Sequence, residues 1–316
     1  MVFENGHTQE SKTQYVNNMT KFVKKVKDAI EIAWQYGLLL GTKFIEALGV
    51  LMLIYELLSL INSVDDFLTT KSLKIWMFGA IIVISAFYAW CYLFKKRKTM
   101  TIDINKRTRM IIEKGDIFKA NGMKVIPVNE YFDTHLGDGI IKETTIHGQF
   151  LEKYQGCIDE LRKKIDAQLS QLTPSPSNRE RTMFEDLPQT RYPLGTCVRV
   201  AVDGQYYLLV AITRFNSYEH VEPSAEEYPE VIRKMFNGIE QLNNGNAVYM
   251  PLVGSGISGY ELTNMQMLNT IVQAASNANK LSITNGLYLY LYDDEQIASI
   301  NLNIIKYLYD RWITLK

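Results

Sequence analysis

The stretch PLVGSGISGY, Pro251–Tyr260, decides how this chain is read. An apolar run, NAVYMPLV (Asn246–Val253), leads into it, and ELTNMQMLNTIVQAA follows from Glu261 with helical spacing. Three glycines and two serines therefore sit in a turn between a strand and a helix. Glycines let a backbone approach a ligand closely and turn its amide N–H groups toward an anion. A helix starting just beyond adds the positive end of its dipole. A tight connection that binds nothing is the plain alternative, so the rest of the chain must decide.

Working outward, RMIIEKGDI (Arg109–Ile117) reads as a short strand entering a turn at Gly115, and KVIPVN (Lys124–Asn129) as a buried strand. Gln149–Leu172 is helical until TPSPSN, Thr173–Asn178, breaks it. CVRVAVDGQYYLLVAI is a hairpin about Asp203-Gly204. Ser224–Leu242 is a helix with Ser224 as N-cap. The strand Ala247–Val253, the helix Glu261–Asn279, the strand Gly286–Tyr292 and a last helix, Glu295–Trp312, complete the order. Strands alternating with helices, plus one antiparallel hairpin, predict a three-layer α/β/α domain over residues 109–316, its mixed sheet covered on both faces. In such folds ligands bind at the carboxyl ends of strands. Three loops there have the chemistry for it: EKGDIF (Glu113–Phe118), NEYFDTHLGDGII (Asn129–Ile141) and GSGISG (Gly254–Gly259).

The first hundred residues differ in kind. Ile75–Phe94, IWMFGAIIVISAFYAWCYLF, carries no charge and rises roughly 30 Å as a helix, the thickness of a bilayer's hydrocarbon. Phe44–Ile61 is a second apolar run and holds Glu46 and Glu56 toward its ends, with Lys43 one turn from Glu46. Those glutamates either snorkel or face the interior of a bundle. Lysines before the first run (Lys21, Lys24, Lys25, Lys27) and basic residues after the second (Lys95, Lys96, Arg97, Lys98) predict a hairpin of two spans, about 44–61 and 75–94, with both ends cytoplasmic. Residues 38–98 form that hairpin and 99–108 a linker. Residues 1–37 precede it as a cytoplasmic segment. Thr13–Tyr36 within it is either an amphipathic helix on the inner surface or an ordinary cytosolic helix. Basic and acidic residues balance at 34 each, which gives no global electrostatic case for nucleic acid. Three separated cysteines without CxxC, and four histidines without ligand spacing, predict neither a metal centre nor a disulfide framework.

A strand ending in GDI, a buried strand ending in Asn, a GDGII loop and a late PLVGSGI loop, in that order, resemble a macro domain. With NEYFDT and the paired apolar helices, the chain is similar to the membrane-anchored macro effectors of type II Thoeris anti-phage systems. The resemblance implies a ligand of the ADP-ribose type, ADP-ribose or a conjugate of it, and no cofactor. It also implies a TIR-domain protein that makes the signal, a bacterial cell membrane location, and an oligomer whose spans disrupt the membrane and abort infection. Residue by residue, it gives Asp116 and the Ile117 backbone to adenine and Asn129 to the distal ribose. Gly137, Asp138, Gly139 and Ile140 would wrap one side of the pyrophosphate, and Gly254, Ser255, Gly256, Ile257, Ser258 and Gly259 the other. Tyr292 stacks on adenine, while Tyr131, Phe132, Asp133, Thr134 and His135 lie beyond the strand, toward the far end of the ligand. The chain departs from hydrolytic macro domains: VIPVN has Ile126 where the first Asn of VNAAN stands, and the glycine run before GDGII is shortened to His135-Leu136-Gly137. The resemblance therefore implies a receptor without catalytic residues. A membrane-tethered ADP-ribosyl hydrolase, with Asn129 and Asp138 in the chemistry, is the alternative.

Overall fold

The computed structural model describes residues 19–314 apart from 21–22, 24–25, 28–29, 31–32, 35, 61–70, 96, 138–139, 177–180, 182–186, 217–219, 223, 257–259 and 279. The chain divides into two compact units, Met1–Lys95 and Lys96–Lys316.

The first unit contains helices α1 (Gly37–Ser59) and α2 (Lys71–Phe94), which pack against each other. Gly37–Ser59 and Leu73–Phe94 are each long and apolar enough to cross a membrane. Apolar side chains cover almost the whole surface of the pair: Leu53, Ile54, Phe78, Val83 and Phe87 are exposed. The expected Lys43–Glu46 pair forms at 2.7 Å, and the Lys43 ammonium also lies 4.8 Å from the centre of the Tyr92 ring. Both helices begin several residues before the apolar runs predict, at Gly37 and Lys71. The amphipathic segment Thr13–Tyr36 lies largely outside the described residues, as does most of the connector.

The second unit is built on a seven-stranded sheet. Its strands are β1 (Met100–Asp103), β2 (Arg109–Lys114), β3 (Met123–Asn129), β4 (Cys197–Val202), β5 (Gln205–Thr213), β6 (Val248–Pro251) and β7 (Leu287–Leu291), in the order β1-β2-β7-β6-β3-β5-β4. The edges β1–β2 and β4–β5 are antiparallel and every other pairing is parallel. The strand β5 reads QYYLLVAIT because both of its faces are covered, so apolar residues run on rather than alternate. The helices are α3 (Ile146–Lys153), α4 (Ile158–Leu169), α5 (Tyr228–Leu242), α6 (Asn264–Asn277), α7 (Asp294–Ala298) and α8 (Leu302–Thr314).

Two apolar cores lie on opposite faces of this sheet. On one face, α5 buries Val231, Ile232, Met235, Phe236 and Ile239, and α6 buries Met267, Leu268, Ile271, Val272 and Ala275, both at helical spacing. On the other, α3 and α4 cover Ile126, Val128, Leu209 and Ala211 with Phe150, Leu151, Leu161 and Ile165. Fully burying one such side chain stabilises by about 1.5–3 kcal/mol, so these two layers hold the sheet from both sides.

Several element boundaries differ from expectation. The stretch read as a linker contains β1, an edge strand whose four residues pair with β2. The helix expected over Gln149–Leu172 starts earlier, at Ile146 behind a Thr145 cap, and is broken by a 3-10 turn at Gln155–Cys157. The helix α5 begins at Tyr228 rather than Ser224, whose carbonyl instead accepts the Glu227 N–H in a preceding turn. The last helix is interrupted between Ala298 and Leu302. Asp203 and Gly204 both take positive φ, as the hairpin turn requires.

Candidate functional site

The chain leaves β3 toward β5 and β4 but leaves β6 toward β7, so the gap between the carboxyl ends of β3 and β6 is the point where the strand order reverses. Ligands of open parallel sheets occupy that crevice. Pairing between β3 and β6 is confined to Met123–Val248 and Lys124–Tyr249. Pro127, which has no N–H to offer a further neighbour, lies just beyond. The result is a cavity of about 540 Å³. Its floor is Pro127, Val128 and Asn129 from β3, Ile212 and Thr213 from β5, Pro251 from β6 and the following Leu252.

The opening glycine turn forms one wall through Gly254, Ser255 and Gly256. Gly254 has φ +89°, and a Cβ there would lie 3.0 Å from the Tyr228 ring, so the turn requires glycine on both conformational and spatial grounds. Ser255 Oγ donates to the Leu252 carbonyl at 2.7 Å and accepts from Gln296 Nε2 at 2.9 Å. Gln296 Oε1 in turn accepts the Tyr292 N–H at 2.8 Å, which locks this wall to the end of β7. Tyr292, 67% exposed, stands over the cavity rim. The first residues of the helix after the turn do not line the cavity. That helix starts at Asn264, and a capping box of Thr263 and Gln266 occupies its first donors. The helix ends that line the cavity are those of α3, through Thr144, Thr145, Ile146 and His147, and of α7, through Asp293 and Gln296.

A further wall comes from the segment just before α3, where the Ile140 N–H donates to the Gly137 carbonyl at 3.2 Å. Ile140, Ile141 and Lys142 line the cavity. Asp138, Gly139, Ile257, Ser258 and Gly259, all expected in the site, lie outside the described residues.

Asn129 lines the floor but is also a structural hub. Its Oδ1 accepts the Tyr131 and Asp133 N–H groups, at 3.1 and 3.3 Å, and its Nδ2 donates to Asp133 Oδ2 at 2.9 Å. Asp133 forms a two-point ion pair with Arg181, at 2.8 and 3.0 Å, with both side chains completely buried. The Arg181 guanidinium lies 4.1 Å over the Tyr131 ring. Tyr131, Phe132 and Asp133, expected to reach the far end of a ligand, are thus buried behind the floor and do not line the cavity. Their buried apolar rings and the Arg181 pair account for that placement. Thr134 and His135 do not line the cavity either, nor does Gly137.

Asp116 and Ile117 stand at the end of β2, outside the cavity lining. Asp116 Oδ1 accepts the Phe118 N–H at 2.9 Å and caps a 3-10 turn, with its side chain still half-exposed. Gly115 N–H donates to the Leu291 carbonyl at 3.1 Å, which sets the end of β2 beside the end of β7, one residue from Tyr292. A Cβ on Gly115 would lie 2.6 Å from the Tyr290 ring.

Three contributors were not singled out in the sequence. His147 is 8% exposed on the first turn of α3 and lines the cavity. The segment after β5, where Phe215 and Val221 form an antiparallel bridge, adds Phe215, His220 and Val221. It follows a parallel strand at its carboxyl end, a signal that placed it on the ligand side. Gln296, the clamp between two walls, carries no sequence signal. Burial holds the His147 imidazole down at about 4, against the opposing pull of the Asp133 charge and carbonyl. Its ring therefore stays neutral in the folded protein over a range where the unfolded chain, near 6.5, takes up a proton. Stability is complete above about pH 6.5 and declines toward about pH 4, by about 2 kcal/mol between about pH 7 and about pH 5. Denaturant midpoints at those two pH values measure it, and His147→Gln should remove that slope.

The Thoeris protein ThsA macro domain family matches residues 110–289. The chain is 34% identical over 163 residues to the Thoeris protein ThsA of Bacillus amyloliquefaciens strain Y2, covering 50% of this chain and 52% of that protein. It thus spans about half the length of the curated relative it matches. Among solved structures, the Oceanobacillus iheyensis macrodomain with ADP aligns at TM-score 0.42 and 13% identity, over 67% of this chain and 97% of that one. The Trypanosoma brucei macrodomain in complex with ADP aligns at TM-score 0.39 and 13% identity, over 62% and 68%.

Proposed function

Since the chain belongs to the family of the Thoeris protein ThsA macro domain, we propose that its cavity receives an ADP-ribose-type nucleotide and that the protein is the membrane effector of an anti-phage defence system. The observation that carries this reading is the cavity itself. It opens at the strand-order reversal, between the Gly254–Gly256 turn and the segment of Ile140, Ile141 and Lys142, with the N-terminus of α3 beside it. The pyrophosphate lies between the two loops, completed by Asp138, Gly139, Ile257, Ser258 and Gly259. The distal ribose reaches Asn129 on the floor. Adenine lies toward Tyr292 and, beyond it, Asp116, whose carboxylate accepts from the exocyclic amino group beside the Ile117 backbone.

A TIR-domain protein supplies the ligand. Its binding favours one arrangement or oligomer of the chain only by the difference in affinity between the two states. The helices α1 and α2 then associate in the bacterial cell membrane and break the permeability barrier. Gly49, Gly79 and Ala80 permit close helix contact. The protein is a receptor, and its ligand leaves unchanged. The test is full-length protein in dye-loaded vesicles, titrated with ADP-ribose while the nucleotide is recovered and analysed. Saturable binding of unaltered nucleotide is expected, with Asp116→Ala about tenfold weaker from the loss of one charged acceptor. Dye release that follows occupancy supports the effector role. Release of ADP-ribose from ADP-ribosylated protein moves the chain to the hydrolases.

A further inference from the structure

The buried imidazole of His147 has a use beyond packing. Its Nε2 lies 3.0 Å from the Asp133 carbonyl oxygen. A carbonyl only accepts, so Nε2 carries the proton. A neutral ring then leaves a lone pair on Nδ1. Nδ1 bonds to none of the described residues, and it is not among the buried polar atoms sealed from solvent. The side chain is nonetheless almost fully buried and lines the cavity. Its orientation is fixed from behind, because Asp133 is clamped by Arg181 and by Asn129 Nδ2.

We infer that His147 is a ligand-binding residue whose Nδ1 accepts a hydrogen bond from a ribose hydroxyl of the nucleotide. This rests on the reading of the cavity as an ADP-ribose site. A phosphate oxygen has no hydrogen to give, so a fixed acceptor at this point rejects the charged part of the ligand and selects a hydroxyl. Asn129 lines the same cavity, so the two residues read the sugar together while the glycine loops hold the phosphates. Asp133 and Arg181 act through His147 as positioning residues.

Two substitutions separate the ring's two nitrogens. In His147→Gln the amide nitrogen reaches the Nε2 position and keeps the bond to Asp133, but the acceptor at Nδ1 is lost. In His147→Asn the amide oxygen stands near Nδ1 and the tether to Asp133 is lost. Full-length protein in detergent, titrated with ADP-ribose, should bind about tenfold more weakly as His147→Gln, and His147→Asn should retain more affinity than that. Wild-type protein labelled with ¹⁵N at histidine gives a readout independent of any variant. Only four histidines contribute, and the His147 signals are those missing from His147→Gln. ADP-ribose should move the Nδ1 resonance of His147 and leave Nε2 in place. Wild-type binding with an unmoved Nδ1 and an unaffected His147→Gln overturns this inference and leaves the site reading intact. No binding to wild type overturns both.

Discussion

Arg181→Met should lower the stability of the folded second unit by about 3–5 kcal/mol, the cost of stranding one charge of a buried pair. Asp133 is then left with both oxygens out of reach of water, and among the described residues the Asn129 amide is the side chain left donating to it. The cost arises from the charge left behind. A second substitution that neutralises it, Asp133→Asn, should therefore recover part of the loss while its side-chain oxygen still accepts from Asn129. Denaturant unfolding of the full-length protein, followed by near-ultraviolet dichroism of the tyrosines, measures all three proteins. A double variant less stable than Arg181→Met would show that the pair contributes mainly as individual contacts. Ligand binding should weaken alongside, because the same carboxylate orders Asn129 and, through its backbone, His147.

Gly256→Glu should reduce ADP-ribose affinity by about 100-fold or more, since a carboxylate set against a bound pyrophosphate costs several kcal/mol. The position isolates that effect. Gly256 lines the cavity, yet a Cβ on it meets no atom of the described residues within 4 Å. The new side chain strains nothing in the fold, so thermal stability without ligand should match wild type. Gly256→Gln, of the same size and without charge, separates obstruction from repulsion. The larger part of the loss should be restored in it if the pyrophosphate lies against this turn. Calorimetric titration reads both.

Much of this architecture was legible because local chemistry agreed with tertiary demand. The runs KVIPVN and NAVYMPLV are buried on both faces of a parallel sheet, which is why they carry almost no polar residue. The Asp203-Gly204 turn has the positive φ angles its composition predicts. Asn129 and the Gly254–Gly256 turn line the cavity from the strand ends at which the sequence sets them. What stayed hidden depends on separation in sequence. Arg181 and Asp133 are 48 residues apart, and nothing near either one announces the pair. Without that pair the NEYFDT loop reads as exposed and ligand-facing, whereas Tyr131, Phe132 and Asp133 are drawn behind the floor. The strand β1 is four residues long and owes its existence to an edge of the sheet rather than to its own sequence. His147 looked like a scattered histidine because its meaning comes from the carbonyl of Asp133, fourteen positions away.

The most direct measurement is hydrogen–deuterium exchange of the full-length protein with and without ADP-ribose. Four separated segments contribute residues to the cavity: 127–129, 140–147, 252–256 and 292–296. If the nucleotide binds where proposed, amides in all four should exchange more slowly as occupancy rises, and Gly256→Glu at the same concentration should show no protection. Saturating ADP-ribose that leaves these four segments unprotected, or protects others in their place, would contradict the assignment of the site.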